Sequence, residues 1–304
     1  MPPPSAGSKY HASSLAIWSA LIVVYIVWGS TYLAIRYAVA TMPPFLMAAV
    51  RFILSGGFLY ALRRASGDPS PKPAEWRSAA IVGIFLLVGG NGGVVWAEQF
   101  VPSSLAALLV ATVPLWMVIL DALRPGGQRP AFAAATGILI GFAGVVLLIG
   151  YAAVVSESMN LRGETVLIIA SLSWATGSLY SKHARLPESQ LLGTGMEMFA
   201  GGLALLAVAY VVGEFNWVNF SAASQRSLMA LLYLIVFGSG AFAAYVWLLR
   251  VAPTPLVATY AYVNPLVAVL LGYFLAQEPI TMRILLAAVL IIGSVILVGL
   301  PRQP

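Results

Sequence analysis

The sequence predicts an all-α membrane protein of ten transmembrane helices, arranged as two inverted five-helix repeats. Three observations predict it. Residues of the AVILMFWYC set fill 61% of the 304 positions and charged residues only 9%, against roughly 25% charged in a soluble domain. Apolar runs of membrane-spanning length follow one another along the chain. The second half then repeats spaced features of the first. So little polar surface cannot face water on all sides, which makes lipid the solvent. A span needs about 20 apolar residues to cross roughly 30 Å of hydrocarbon.

Taken in order, the runs fall at about 14–36, 44–62, 77–99, 103–121, 131–150, 163–181, 190–212, 227–249, 255–276 and 281–300. Charged or Pro/Gly-rich breaks separate most of them, such as Arg124-Pro125-Gly126-Gly127 and Lys182-His183-Ala184-Arg185. Residues 1–12, with Pro2 to Pro4, read as a disordered tail. The first run reads as a span and not as a cleaved signal. It is too long for a signal core and ends in Trp28-Gly29-Ser30-Thr31-Tyr32 instead of a small-x-small site.

Orientation follows from the basic residues, which concentrate in cytoplasmic loops. With the N-terminus inside, Lys9, Arg63, Arg64, Lys72, Arg77, Arg124, Arg129, Lys182, Arg185, Arg250 and Arg302 lie in the cytoplasm. Arg36, Arg162, Arg226 and Arg283 lie outside, and Arg51 lies within a span. Eleven against four places both termini in the cytoplasm. The formal charge of +6 is scattered at the ends of apolar runs and forms no patch for nucleic acid.

The repeat shows as matched residues at nearly constant offset. An offset of 146 places Trp28 on Trp174, Arg36 on Lys182, Arg51 on Glu197 and Gly56 on Gly202. An offset of 151 places Trp96 on Trp247, Pro102 on Pro253 and Pro114 on Pro265. The repeats are then 13–150 and 160–304. Each holds five spans, an odd number, so the halves cross the membrane in opposite senses. Inverted repeats recur in transporters, with the substrate near the midplane between them.

The motifs WGSTYLAIRYA at 28–38, Val50-Arg51-Phe52 and GNGGVVWAEQFVPSSLAALLVATVPL at 90–115 resemble the EamA family of the drug/metabolite transporter superfamily, specifically its YedA-like exporters. In the second half the resemblance is carried by SWATGSLY at 173–180, Glu197-Met198 and ATYAYVNPLVAVLLG at 258–272. It implies ten helices in two inverted EamA repeats, a bacterial inner membrane and export of metabolites or drugs. It implies no particular substrate, because the family spans amino acids, nucleosides, sugars and cations.

Polar groups in lipid are expensive and should face the interior. Trp28 and Tyr32 in helix 1, Asn91 in helix 3, Trp174 and Ser178 in helix 6, and Tyr260, Tyr262 and Asn264 in helix 9 are therefore candidate substrate contacts. Packing and interfacial anchoring are the competing reading for each aromatic. Pro114 and Pro265, matched by the repeat, predict helix breaks that leave a carbonyl free. Gly89 to Gly93 around Asn91 lack the strand and Lys-Ser/Thr of a phosphate loop and predict close helix packing.

Four charges are candidates for gating or coupling. Arg51 and Glu98 fall toward the outer side, Glu197 and Arg250 toward the inner. The repeat exchanges their signs, which predicts an Arg51–Glu98 pair at the outer mouth and a Glu197–Arg250 pair at the inner one. Structural ion pairs are the plainer alternative. Glu98 and Glu197 are also the acids available if protons drive transport.

The chain has no cysteine, and His11 and His183 lie in a tail and a loop, so neither cofactor nor metal is expected. HExxH, GxSxG and P-loop signatures are missing, which argues against an enzyme and against a pump with its own ATPase. The expected partners are the lipid bilayer and a small molecule such as an amino acid, a related metabolite or a drug. A passive channel or facilitator is the alternative, and a receptor or membrane enzyme a more distant one.

Overall fold

The computed structural model describes residues 13–124, 132–155, 161–216, 222–252, 256 and 259–299. Among them the chain is helical and carries no strand. The helices are α1 (Ser14–Val39), α2 (Pro44–Ala65), α3 (Pro73–Ala97), α4 (Ser103–Leu123) and α5 (Phe132–Val155) in the first half. In the second half come α6 (Leu161–Ser181), α7 (Gln190–Val211), α8 (from Gln225 to Val251), α9 (Tyr260–Ala276) and α10 (Met282–Gly299). Six of them, α1 to α4, α7 and α8, are long and apolar enough to cross a membrane.

Several helices begin where the sequence reading places them later. α3 starts at Pro73 and not at 77, because proline suits the first turn and the Glu75 carboxylate accepts from the Lys72 N–H at 2.6 Å. These polar first-turn residues hide the start from an apolar-run criterion.

The outward surface is apolar. Leu15, Phe58, Leu139, Tyr210, Phe274 and Val289 are all exposed. Such a surface is stable only against lipid, where helices satisfy their own backbone groups.

Interhelical packing follows one scheme in both halves. α2 runs along α7, and α5 along α10. α1 packs on α8 and α9, while α6 packs on α3 and α4. Glycines allow the close approach at the α2–α7 contact. A Cβ on Gly195 would sit 2.8 Å from the Tyr60 nitrogen, and one on Gly202 would sit 2.8 Å from the Ile53 nitrogen. In lipid such contacts replace the hydrophobic effect as the glue between helices.

Two helices change pitch internally. α3 contains a π-helical stretch at Ile84–Gly92, and α8 one at Leu234–Gly238. The glycine run predicted to pack closely does so at the end of the first stretch and just past it. Cβ atoms on Gly90 and Gly93 would meet Trp174 and Ala170 of α6 at 2.9 and 2.8 Å. The altered pitch was not foreseen from the sequence.

The starts of α2 and α4 show how the ends are held. Pro43 and Pro102 stand at the capping positions and offer no side-chain acceptor. Carboxylates from elsewhere supply it. Glu214, just past α7, accepts from the N–H groups of Phe45 and Leu46 at 3.1 and 2.7 Å. Burial pushes the Glu214 carboxyl up from its ordinary value, and the two N–H bonds act against that. At the opposite ends of the same helices, Asp68, just past α2, bonds Ser189, the residue that caps α7. Each helix is therefore held at its start by the end of the other, so α2 and α7 run antiparallel.

Candidate functional site

The helices α1, α2, α3, α4, α6, α7, α8 and α9 enclose a cavity of about 130 Å³. One wall is aromatic. Trp28 packs against Tyr245, Tyr260 and Phe242, with ring centroids 4.9, 5.3 and 5.9 Å away. Tyr32 and Trp174 extend the apolar lining.

Helix irregularities form the other wall. α4 breaks at Ala111–Thr112, between Val110 and Val113, and Pro114 lines the cavity there. The carbonyl of Leu109 at this break accepts from the hydroxyls of Thr112 at 2.6 Å and Ser171 at 3.3 Å. Pro265 lies inside α9 and also lines the cavity. Oriented toward its acceptors, the Asn264 amide donates to the carbonyls of Tyr25 and Tyr260 at 3.2 Å each. Its nitrogen is thus committed to backbone beside the proline.

Asn91 reaches the cavity from the π-helical stretch of α3, and its buried Oδ1 has no hydrogen-bond partner. Arg51 reaches it from α2. It is 6% exposed, and neither Nε nor Nη1 has a partner. Gly238, at the end of the second π-helical stretch, leaves the space for its guanidinium. A Cβ there would lie 3.0 Å from Nη2.

Of the sequence candidates, Trp28, Tyr32, Asn91, Trp174, Tyr260, Asn264, Pro114, Pro265 and Arg51 line the cavity. Ser178 does not. It lies four residues beyond Trp174, about one turn further along α6. The side chains of Tyr262 and Arg250 fall outside the described residues. Glu197 is absent from the cavity lining among the described residues.

The expected Arg51–Glu98 pair is not formed. Arg51 turns into the cavity against Gly238. Glu98 lies past the end of α3, beside Arg36 and Glu278, 3% exposed and with both carboxylate oxygens unbonded. The basic partner at that end is Arg36, which pairs with Glu278.

Sequence reasoning missed Glu278. Its carboxylate accepts from the N–H and hydroxyl of Ser103 at 2.9 and 2.7 Å, and from those of Ser104 at 3.0 and 2.5 Å. Burial alone would raise this carboxyl. The Ser104 and Ser103 bonds outweigh it and hold the group below the usual carboxylate range. The signal in the sequence was the pair Ser103-Ser104 after Pro102, a helix start lacking its own acceptor.

An interior cavity in a bundle with a lipid-facing exterior defines a polytopic membrane protein with an internal site, and a comparison with known proteins shows it to be a transporter and gives its family. The chain belongs to the EamA-like transporter family, whose model matches residues 15–150 and 161–300. It is 39% identical over 290 residues to YedA of Escherichia coli K12, described as an uncharacterized inner membrane transporter, covering 95% of this chain and 92% of that one. It is 22% identical to the uncharacterized transporter YoaV of Bacillus subtilis, covering 89% and 92%. A crystal structure at 22% identity superposes with a TM-score of 0.63, covering 94% of this chain and 98% of that one, and shares the fold. The match to YedA fits a multi-pass protein of the bacterial inner membrane.

Proposed function

We propose that this chain is a secondary transporter that exports a small organic molecule by alternating access, with ten spans, both termini cytoplasmic and two inverted repeats. The packing scheme is the observation that carries this reading. Exchanging each helix for the one five places on maps α2–α7 and α5–α10 onto themselves. It also maps α1–α8 and α1–α9 onto α6–α3 and α6–α4. Residues matched by the repeat, Trp28 with Trp174 and Pro114 with Pro265, line the same cavity. A site shared in this way between two opposed halves suits rocking of one half against the other.

In this reading the Arg36–Glu278 contact closes the outer end, with Glu98 beside it as the acid available for proton coupling. A carrier saturates with substrate, whereas a pore conducts in proportion to concentration. In proteoliposomes, flux of a stabilising ligand should saturate and should be accelerated by the same ligand on the far side. Linear flux without such exchange would favour the channel reading.

A further inference from the structure

We propose that the cavity binds an organic monocarboxylate of about single-ring size, and that Arg51 is the residue that receives its carboxylate. This rests on the reading of the cavity as the substrate site and deepens it.

The first observation is the unpaired cation. A guanidinium carries five N–H donors and no acceptor. Arg51 is buried with no partner on Nε or Nη1, and it lines the cavity. A buried charge is costly unless it is paired and hydrogen-bonded. Among the described residues no acid lines this cavity, and Arg51 forms no ion pair. Elsewhere the same protein satisfies a buried charge fully, as Glu278 shows. The open fork of Arg51 therefore awaits an anion from outside the chain, and a carboxylate fits it in bidentate geometry.

The second observation sets the charge. Arg51 is the single charged residue in the described lining. One guanidinium balances one negative charge, so a monocarboxylate suits the cavity and a dianionic phosphate leaves a charge unbalanced. The absence of an acidic side chain from the described lining also disfavours a cationic drug.

The third observation sets the body of the ligand. A cavity near 150 Å³ lined by apolar side chains is known to take up a benzene ring. The present one measures about 130 Å³, with Trp28, Tyr32, Trp174 and Tyr260 around it. The free Oδ1 of Asn91 adds one acceptor, which suits a hydroxyl or N–H on the ligand. Mandelate has this combination: one ring, one carboxylate and one hydroxyl.

The test measures the melting temperature of the purified full-length protein in detergent against mandelate, its neutral twin mandelamide, phenethylammonium and inorganic phosphate. A ligand that binds only the folded state raises the melting temperature in a saturable way. The expected result is a rise with mandelate and none with the other three. Arg51→Leu should weaken mandelate about 10- to 100-fold, the size of a lost hydrogen bond to a charged group. Arg51→Lys, a point charge without the fork, should recover part of the affinity. The carboxylate–amide comparison uses the wild-type protein alone, so it stands even where a variant folds poorly. Equal stabilisation by mandelate and mandelamide, retained in Arg51→Leu, would overturn the anion proposal while leaving the cavity as the substrate site. Stabilisation by phenethylammonium alone would overturn it in favour of a cation site. A larger shift with phosphate than with mandelate, or no saturable shift with mandelate, would overturn it as well.

Discussion

Arg51 and Glu278 are both buried charges, and the molecule treats them in opposite ways. Glu278 accepts four hydrogen bonds from Ser103 and Ser104 and pairs with Arg36. Arg51 stands in a cavity with two of its nitrogens unbonded. The first charge caps a helix that begins with proline and cannot cap itself. The second stacks on the Phe52 ring and meets no acid among the described residues. Charge and depth alone therefore do not distinguish a charge that the fold satisfies from one left open to a ligand. The count of satisfied donors and acceptors does.

Removing each group should separate the two roles. Glu278→Ala should have the largest effect. It strands buried N–H and hydroxyl donors at the start of α4 and leaves Arg36 without its carboxylate. Breaking a buried pair in this way costs about 3–5 kcal/mol. Thermal unfolding in detergent should show a marked fall in melting temperature, with or without ligand. A melting temperature unchanged by this substitution would remove the structural half of the comparison.

Trp28→Ala should have an intermediate effect and act on binding. The ring packs on Phe242, Tyr245 and Tyr260 at the cavity wall. Its loss should weaken a ring-bearing ligand by roughly 1–3 kcal/mol while the bundle still folds. Titration calorimetry with mandelate reads this directly. Unchanged affinity would place the ligand elsewhere.

The smallest effect belongs to a partly buried charge in the loop after α2. Asp68 is hydrogen-bonded by Arg63, at 2.8 and 3.0 Å, and by Ser189, and these bonds lower its carboxyl below the ordinary 3.8. A depressed folded-state value means the contribution is present above pH 3.8 and is lost as pH falls through that lower value. The Arg63 partner is about a third exposed, and pairs open to solvent on one side contribute little. Asp68→Asn should therefore scarcely change the melting temperature at pH 7 and should flatten its decline below pH 4. A large loss at pH 7 would show that this loop carries more than its exposure suggests.

Much of the architecture was legible because membrane physics writes it into composition. Apolar runs of the right length announce spans. Matched Trp28 and Trp174 were readable as candidate contacts of one site, and matched Pro114 and Pro265 as helix breaks. Asn91 was visible because an amide inside an apolar, glycine-rich helix needs a reason. The pairing of charges was not legible. Arg36 and Glu278 are separated by 242 positions, and nothing in their spacing says that they meet. Arg51 and Glu98 looked equivalent to partners because the repeat exchanges signs. The guanidinium instead sits against a glycine on a third helix, Gly238, at the end of a π-helical stretch, where a Cβ would lie 3.0 Å from Nη2. Ser178 was placed one turn too far along its helix to reach the cavity.

The account turns on Arg51 being a cation with no acidic partner among the described residues, stacked on the Phe52 ring with Nε and Nη1 open to a ligand. The most direct measurement is the melting temperature of Arg51→Leu beside wild type, with no ligand added. Replacing this buried charge by the shorter, apolar leucine relieves a desolvation penalty and gives up the packing of the longer side chain on Phe52, two effects that oppose each other. The expected result is a melting temperature close to that of wild type, together with loss of the mandelate-induced rise. A melting temperature several degrees below wild type, with the mandelate-induced rise retained, would contradict the account, because it would mean that Arg51 serves the fold and not the ligand.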